Sequence, residues 1–235
     1  MLEEFDFEKY WLNKFSKCLT KIAGEDIRQE VLVGSENFTE STDVDEIFSW
    51  SQKAIEKLDL LVDEEKRIDI MTGCACQYSK QDLQEIKKKY EETKDRDLVH
   101  EMLQEKFENF LRNTLKLNEE YFNFIVNRGW GLAGIKIKNK IIATKIPKSG
   151  FLVEYMKESD LEKKKAHYCH CPRIRDALKK PGTRISPTYC YCGAGFYKGI
   201  WEEILQKPVK VEVLESVFNG GDVCKIAIHL PSDKM

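Results

Sequence analysis

The chain has 235 residues, which is enough to bury a sizeable core as one domain or as two small ones. Its 38 Lys and Arg residues nearly balance its 40 Asp and Glu residues, and no apolar run approaches the ~20 residues of a membrane span. The N-terminus MLEEFDFEKYWLNKF is acidic and amphipathic, unlike a secretory signal with its basic start and apolar core. We therefore expect a soluble, cytoplasmic protein that does not bind membranes.

The charges are unevenly distributed along the chain. Residues 1–65 carry 7 Lys and Arg against 17 Asp and Glu, whereas residues 136–184 carry 14 against 5. The two regions either face each other or are simply solvated, or the basic region attracts an anionic ligand. Because the basic region has few interleaved aromatic residues and no recognised motif, we do not expect nucleic acid as a partner.

The first half of the chain has the apolar periodicity of helices. Helices are predicted over residues 3–23, from Asp43 or Asp45 to about Val62, and over residues 80–93, 96–116 and 118–128. The segment 34–42 is polar and indicates a loop. Cys18 lies on the apolar stripe of the first predicted helix, which favours core packing for this cysteine over a ligand role.

The pattern changes near residue 129, where we place a boundary between a helical region, residues 1–128, and a mixed region, residues 129–235. In the mixed region we predict a hairpin over 135–144, a strand over 151–156, a solvated charged stretch over 158–166, a helix over 192–205, and strands over 209–213 and 224–228. The expected fold class is α+β, with a helical N-terminal part followed by a small antiparallel sheet packed by helices.

Cysteines carry the strongest chemical signal in the sequence. Seven of the eight fall in three Cys-x-Cys doublets and one single position: Cys74 and Cys76, Cys169 and Cys171, Cys190 and Cys192, and Cys224. In a reducing compartment such a set indicates metal binding or redox chemistry more than structural disulfides, and thiolates suit zinc, iron–sulfur clusters or copper(I). His170 lies between Cys169 and Cys171 and is a further candidate ligand. The candidates exceed the four ligands of one tetrahedral site, so either a subset binds the metal or a reactive thiol is also present.

The C-terminal fifth of the chain resembles the 4-vinyl reductase domain, a family of small-molecule-binding domains. The resemblance depends on the following residues: Cys190, Gly195, Gly199, Pro208-Val209, Glu215, Gly221-Asp222 and Cys224. In sensory members of that family a zinc ion is held by one cysteine before the helix and by Glu and two Cys in the hairpin. The resemblance implies Cys190 and Cys224 as the outer two ligands. The middle two positions fall on Val213 and Ser216, so we expect replacement ligands from Cys192 and from Cys169 and Cys171.

Arginine and aromatic residues near the cysteines indicate a ligand pocket. Arg173 or Arg175 can bind a carboxylate or phosphate, and Tyr191 and Trp130 can provide apolar walls. The sequence-level hypothesis is a metal-binding protein, with zinc or alternatively an iron–sulfur cluster, that also binds a small anionic molecule. The rival hypothesis is a cysteine- or metal-dependent hydrolase of a small anionic substrate. Whether the chain is an enzyme is left open, and a homodimer is one of the assembly states considered.

Overall fold

The computed structural model describes residues 6–39 and 41–231. The helices are α1 Phe7–Ala23, α2 Glu25–Leu32, α3 Val44–Leu61, α4 Glu64–Gly73, α5 Gln84–Thr93, α6 Arg96–Asn109, α7 Glu119–Val126, α8 Leu152–Lys157, α9 Leu161–Tyr168 and α10 Tyr191–Leu205. The strands are β1 Ile135–Ile137, β2 Lys140–Thr144, β3 Lys210–Glu215 and β4 Lys225–His229. Short 3₁₀ turns precede α5, α8 and α10, and a π-helical turn, Phe110–Thr114, follows α6.

Helix starts in this chain follow local side-chain chemistry. An Asp or Asn side chain accepts a hydrogen bond from a first-turn backbone amide, which satisfies a donor that the helix itself leaves unpaired. The capping residues, in chain order, are Asp6, Asp43, Asp63, Asp95, Asn118 and Asp160. This arrangement fixes where α1, α3, α4, α6, α7 and α9 begin.

The four strands form one antiparallel sheet in the order β1-β2-β4-β3. Ile228 on the inner strand β4 pairs with Ile141 of β2 on one side and with Val211 of β3 on the other, and its side chain is fully buried. α10 packs on the sheet with Ile200, Trp201 and Ile204 as buried residues. The predicted α+β class is confirmed: helices come first, and a small antiparallel sheet packed by helices follows.

α4 lies between α1 and α10 and contacts both. A side chain at Gly195 would overlap the carbonyl oxygen of Thr72, so glycine permits this close approach of α10 to α4. Helices of the first half therefore pack directly on the helix that covers the sheet. The division near residue 129 stays a prediction.

Four segments differ from the sequence-based expectation. The strand predicted over 151–156 is wrong, because this segment forms a 3₁₀ turn and α8, with Leu152 and Tyr155 buried at helical spacing. The charged stretch 158–166 contains most of α9, which buries Ala166. α2 and α4 lie where no element is predicted. The first predicted residues of α1, 3–5, lie outside the described residues.

No helix in the described part of the chain is long and apolar enough to cross a bilayer.

Candidate functional site

A cavity of about 590 Å³ lies where α1, α10, the β3–β4 hairpin and the loops after α4, β2 and α9 meet. Six of the eight cysteines line it: Cys76, Cys169, Cys171, Cys190, Cys192 and Cys224. The structure thus brings together both C-terminal doublets, Cys224 and one member of the first doublet. These residues are up to about 150 positions apart in sequence, so the fold as a whole creates the cluster.

Tyr168 ties together the segments that carry three of the cavity walls. Its hydroxyl donates to the carbonyl of Lys145 at 2.6 Å and accepts from the amide of Cys224 at 3.0 Å. The amide of Lys145 in turn donates to the carbonyl of Cys224 at 3.0 Å. Because Tyr168 is the last residue of α9, these bonds also fix where Cys169 begins its loop. The positions of Cys169 and Cys224 relative to each other are therefore set by buried hydrogen bonds.

The doublet Cys190 and Cys192 begins α10. A 3₁₀ turn, Pro187–Cys190, precedes the helix and is capped by the Ser186 side chain. Thr188 donates from its hydroxyl to Asp59 of α3 at 2.6 Å, which anchors the turn to the helical part of the chain. Proline at the first turn position fits this start because it has no amide to satisfy.

Two of the cavity sulfurs accept hydrogen bonds from aromatic side chains. The indole nitrogen of Trp11 lies 3.5 Å from Cys192 Sγ, and an indole N–H can only donate. The hydroxyl of Tyr189 lies 3.2 Å from Cys171 Sγ and accepts from Arg173 Nη1 at 3.1 Å. The Arg173 donor occupies the tyrosine oxygen, so the orientation that uses the phenolic hydrogen directs it at Cys171.

Nearby donor groups act on three further cavity thiols. The Cys171 amide lowers the pKa of Cys169, the Ser216 hydroxyl lowers that of Cys190, and the Val217 amide lowers that of Cys224. Each of these influences opposes the rise in pKa that burial causes at the same thiol. Ser216 is itself held by Asn219, whose amide donates to its oxygen at 3.2 Å.

Burial is the dominant influence on the cavity thiols. It raises the pKa of Cys190 to about 12 and that of Cys192 to about 11, and it raises the pKa values of Cys169 and Cys224 as well. Lys145 acts in the opposite direction on Cys190, Cys192 and Cys224. Its ammonium lies beside the first turn of α10, since a Cβ on Gly193 would be 2.9 Å from Lys145 Nζ. Without a metal, these thiols are protonated at neutral pH.

His170 is also part of the cavity wall, and it is neutral. Burial lowers its pKa to about 3, and the positive charge of Lys145 contributes to the shift. Its Nε2 lies 2.8 Å from the carbonyl oxygen of Ile146, which can only accept, so Nε2 carries the proton. The lone pair of Nδ1 is then left for another partner. A ring nitrogen that donates to a backbone carbonyl is a common support for a metal-binding histidine.

The sulfurs surround the cavity instead of meeting at one point. Within the described residues, no three His, Cys, Asp or Glu side chains converge closely enough to hold a single metal ion. The arrangement therefore offers six cysteine side chains along the wall of one cavity whose space is large enough for a group of several atoms.

The other predicted site residues have different surroundings. Arg173 lies in the cavity wall, but its guanidinium is bound to Glu8 through two hydrogen bonds of 2.6 Å, and both side chains are almost fully buried. Arg175 stacks over Phe151 at 4.5 Å. Among the described residues that line the cavity, Arg175, Tyr191 and Trp130 are not found.

The two cysteines of the first doublet have different surroundings. Cys74 lies outside the described lining and interacts with Cys18, whereas Cys76 faces the cavity. Val213 and Ser216, where the 4-vinyl reductase pattern has ligands, do line the cavity. Ser216 supports Cys190 there as a donor.

Sequence reasoning missed Trp11, Glu8 and Lys145 as parts of the site. Trp11 and Glu8 follow the apolar and acidic pattern of an ordinary surface helix, so nothing local distinguishes them. Lys145 is one of the 14 Lys and Arg residues between positions 136 and 184, and the sequence does not set it apart from the others.

The C-terminal part of the chain has detectable relatives. Residues 142–235 match a family of unknown function (DUF6144). No curated protein and no solved structure matches the chain. The DUF6144 region contains Lys145, His170 and five of the six cavity cysteines, while Trp11, Glu8 and Cys76 lie outside it. The resemblance to the 4-vinyl reductase domain stays a prediction.

Proposed function

We propose that this chain is a metal-binding protein whose buried thiolates hold a polynuclear centre, most simply an iron–sulfur cluster, beside a pocket for a small anionic molecule. One observation carries the proposal: the fold brings six of the eight cysteines, distant from one another in sequence, to the wall of a single cavity. Trp11 also donates to the sulfur of Cys192, and hydrogen bonds to cysteine sulfurs stabilise thiolate charge and tune the potentials of iron–sulfur clusters.

The spacing of the sulfurs favours a cluster over a single ion. A tetrahedral zinc site needs four ligands at about 2.0–2.3 Å from one point. In the described residues no such convergence exists, whereas the cavity between the sulfurs has a volume of about 590 Å³. A cluster occupies a larger space and is held by four cysteines placed around it. Cys169, Cys171, Cys190, Cys192 and Cys224 supply more sulfurs than the four that one cluster uses.

Zinc is the second candidate, and His170 favours it. Its protonated Nε2 is held by the carbonyl of Ile146, which directs the Nδ1 lone pair away from that bond. Three cysteines and one histidine form a common zinc ligand set. Zinc binding at this site requires its ligands to converge more closely than they do among the described residues.

The proposal of an anionic ligand rests on the positive charges and the apolar side chains that line the same cavity. Lys145 and Lys148 supply positive charge, and Phe107, Phe110 and Phe196 supply apolar wall. Arg173 is bound to Glu8, so we assign the attraction of an anion to the two lysines instead of to the arginine.

The hydrolase alternative has one specific support. Cys76 lines the cavity and is the exposed member among the eight cysteines, so a small substrate can reach it. An accessible thiol next to a buried metal centre is the arrangement that a thiol nucleophile would need.

Metal analysis tests the proposed function. Protein purified without oxygen should contain iron and acid-labile sulfide, with broad visible absorption that bleaches on reduction; one colourless zinc per chain would select the second candidate. Cys190→Ser and Cys224→Ser should lose the metal and unfold at a lower temperature, because binding energy at such sites contributes to folding. Cys18→Ser, outside the cavity, is the matched control and should keep it. Wild-type protein that contains no metal and melts at the same temperature as the Cys190→Ser and Cys224→Ser variants would refute the proposal.

A further inference from the structure

A second pair of thiols lies outside the cavity, where α1 contacts the end of α4. Cys18 is on α1 and is half-buried, whereas Cys74 is the C-terminal cap of α4 and only 1% exposed. Cys18 Sγ packs against Gly73, the residue before Cys74, and each thiol changes the pKa of the other. The Cys74 thiol donates its hydrogen to the carbonyl oxygen of Ile70 at 3.2 Å. Two neighbouring sulfurs can reach the ~2.05 Å of a disulfide by side-chain rotation.

The contact between the two helices is built to hold these thiols together. A Cβ at Gly73 would lie 2.6 Å from Cys18 Sγ, so a glycine at this position permits the approach. One turn before Cys18, the ammonium of Lys14 donates to the carbonyl of Ala75. On the side of α4 that faces away from α1, Gly195 of α10 lies in close contact with the backbone of Thr72. The segment 72–76 is therefore fixed between α1 and α10, with the thiol pair at its centre.

The two members of the pair differ in reactivity. The neighbouring Cys74 thiol lowers the pKa of Cys18 to about 7, with the positive charges of Lys14 and Lys21 contributing. The contact with Cys18 and burial raise the pKa of Cys74. A partly accessible, easily ionised thiol beside a buried partner is the usual arrangement of an attacking and a resolving cysteine.

We propose that Cys18 and Cys74 form a redox-active dithiol that closes to a disulfide between α1 and α4 by exchange with a low-molecular-weight disulfide. The Cys18 thiolate attacks one sulfur of the small disulfide, forms a mixed disulfide and releases one small thiolate. The Cys74 thiol then loses its proton and attacks Cys18 Sγ, and the second small thiol leaves. Overall, two protein thiols are oxidised and one small disulfide is reduced to two thiols.

The location of the pair gives the disulfide a consequence for the cavity. α1 carries Trp11 to the cavity wall and Glu8 to Arg173, and Cys76 follows Cys74 by two residues. Cys192 also contributes to the raised pKa of Cys74. Oxidation would thus lock α1 to the segment that bears Cys76. The inference does not depend on the identity of the metal centre.

The experiment equilibrates the purified protein, with its metal content measured, in glutathione buffers of graded ratio. After acid quenching and alkylation, the digest is searched for the peptide that joins Cys18 to Cys74. We expect a single two-electron transition and an increase of about 5 °C in melting temperature for the oxidised form. Cys18→Ser should abolish both, and Cys76→Ser, the nearest other thiol in the segment, should retain both.

Two results would overturn the inference. One is the absence of the linked peptide at every ratio while Cys18 accumulates a stable glutathione adduct. The other is a Cys18 that reacts with iodoacetamide only as the pH approaches about 9, the range of an unperturbed thiol, instead of with a midpoint near pH 7. The two proposals can fail independently: protein that contains no metal but still forms the linked peptide would refute the metal centre and leave the dithiol intact.

Discussion

Breaking the buried ion pair between Glu8 and Arg173 should lower the free energy of unfolding more than breaking any other single ion pair of the described residues. Both carboxylate oxygens accept from the guanidinium at 2.6 Å, and the two side chains are 3% and 1% exposed. The guanidinium also lies 3.8 Å from the centre of the Trp11 ring. Arg173→Met removes one charge and leaves the Glu8 carboxylate buried without its partner. Glu8→Leu does the reverse.

The magnitude follows from burial. Removing one member of a buried ion pair costs about 3–5 kcal/mol, because the remaining charge keeps its desolvation penalty. Arg173→Met loses in addition the contact with Trp11, about 0.5–2 kcal/mol. Replacing both members by apolar side chains removes both buried charges, so we expect the double variant to lie within about 2 kcal/mol of the wild type. The coupling free energy in the cycle should therefore exceed about 2 kcal/mol.

Urea unfolding of the four proteins, followed by circular dichroism, gives the cycle. For a chain of this size the single variants should also melt about 10 °C below the wild type. The matched control is the Asp176–Lys179 pair, 2.7 Å apart with both side chains about half exposed, where a cycle should give less than about 0.5 kcal/mol. Additivity of Glu8→Leu and Arg173→Met within about 0.5 kcal/mol would refute the reasoning. It would then leave Arg173 free for the ligand-binding role that the sequence predicts.

Two further predictions test the packing that forms the cavity. Gly195→Ala should destabilise the protein by at least about 1–3 kcal/mol because its Cβ overlaps the backbone of α4, whereas Gly199→Ala on the same helix meets nothing within 4 Å and should stabilise it by about 0.5–1 kcal/mol, both measured by urea unfolding. Asp59→Ala should lower the free energy of unfolding by about 1–3 kcal/mol and increase hydrogen exchange in the turn 186–188, because the hydroxyls of Ser186 and Thr188 lose their acceptor. Asp45→Ala removes only an exposed ion pair with Lys180 and should change stability by less than about 0.5 kcal/mol. Equal effects of the two variants would contradict the anchor role.

The sequence predicts the parts of the fold that local patterns determine. The alternation of Val209, Val211 and Val213 and the spacing of Ile200, Trp201 and Ile204 mark a strand and a helix, and both are present. The segment 151–156 is short and apolar, and its period cannot separate a strand from a buried helix, so the strand prediction is wrong there. The cysteine doublets likewise indicate a cluster, because three such pairs are a pattern in the sequence itself.

The donors around the sulfurs could not be predicted, because their relation to the cysteines exists only in the folded chain. Glu8 lies 165 positions from Arg173, and Trp11 lies 181 positions from Cys192. Arg173 illustrates the consequence: its position after a doublet indicates a ligand-binding arginine, but the carboxylate that binds it comes from the first turn of α1. Cys18 was expected to be core packing for a similar reason, since its partner Cys74 belongs to a helix that the sequence pattern does not reveal.

These long-range contacts make α1 part of the site and not an appendage to it. The DUF6144 region, residues 142–235, contains five of the six cavity sulfurs, yet the donor to Cys192 and the carboxylate that holds Arg173 both come from α1. Arg173 in turn occupies the oxygen of Tyr189, which directs the phenolic hydrogen to Cys171. A chain with the same residues 142–235 but a different N-terminal helix would keep these sulfurs and lose the indole donor to Cys192. On the proposed metal-binding function we expect such a chain to bind the metal less tightly, because burial disfavours thiolates and a donor to sulfur offsets part of that cost.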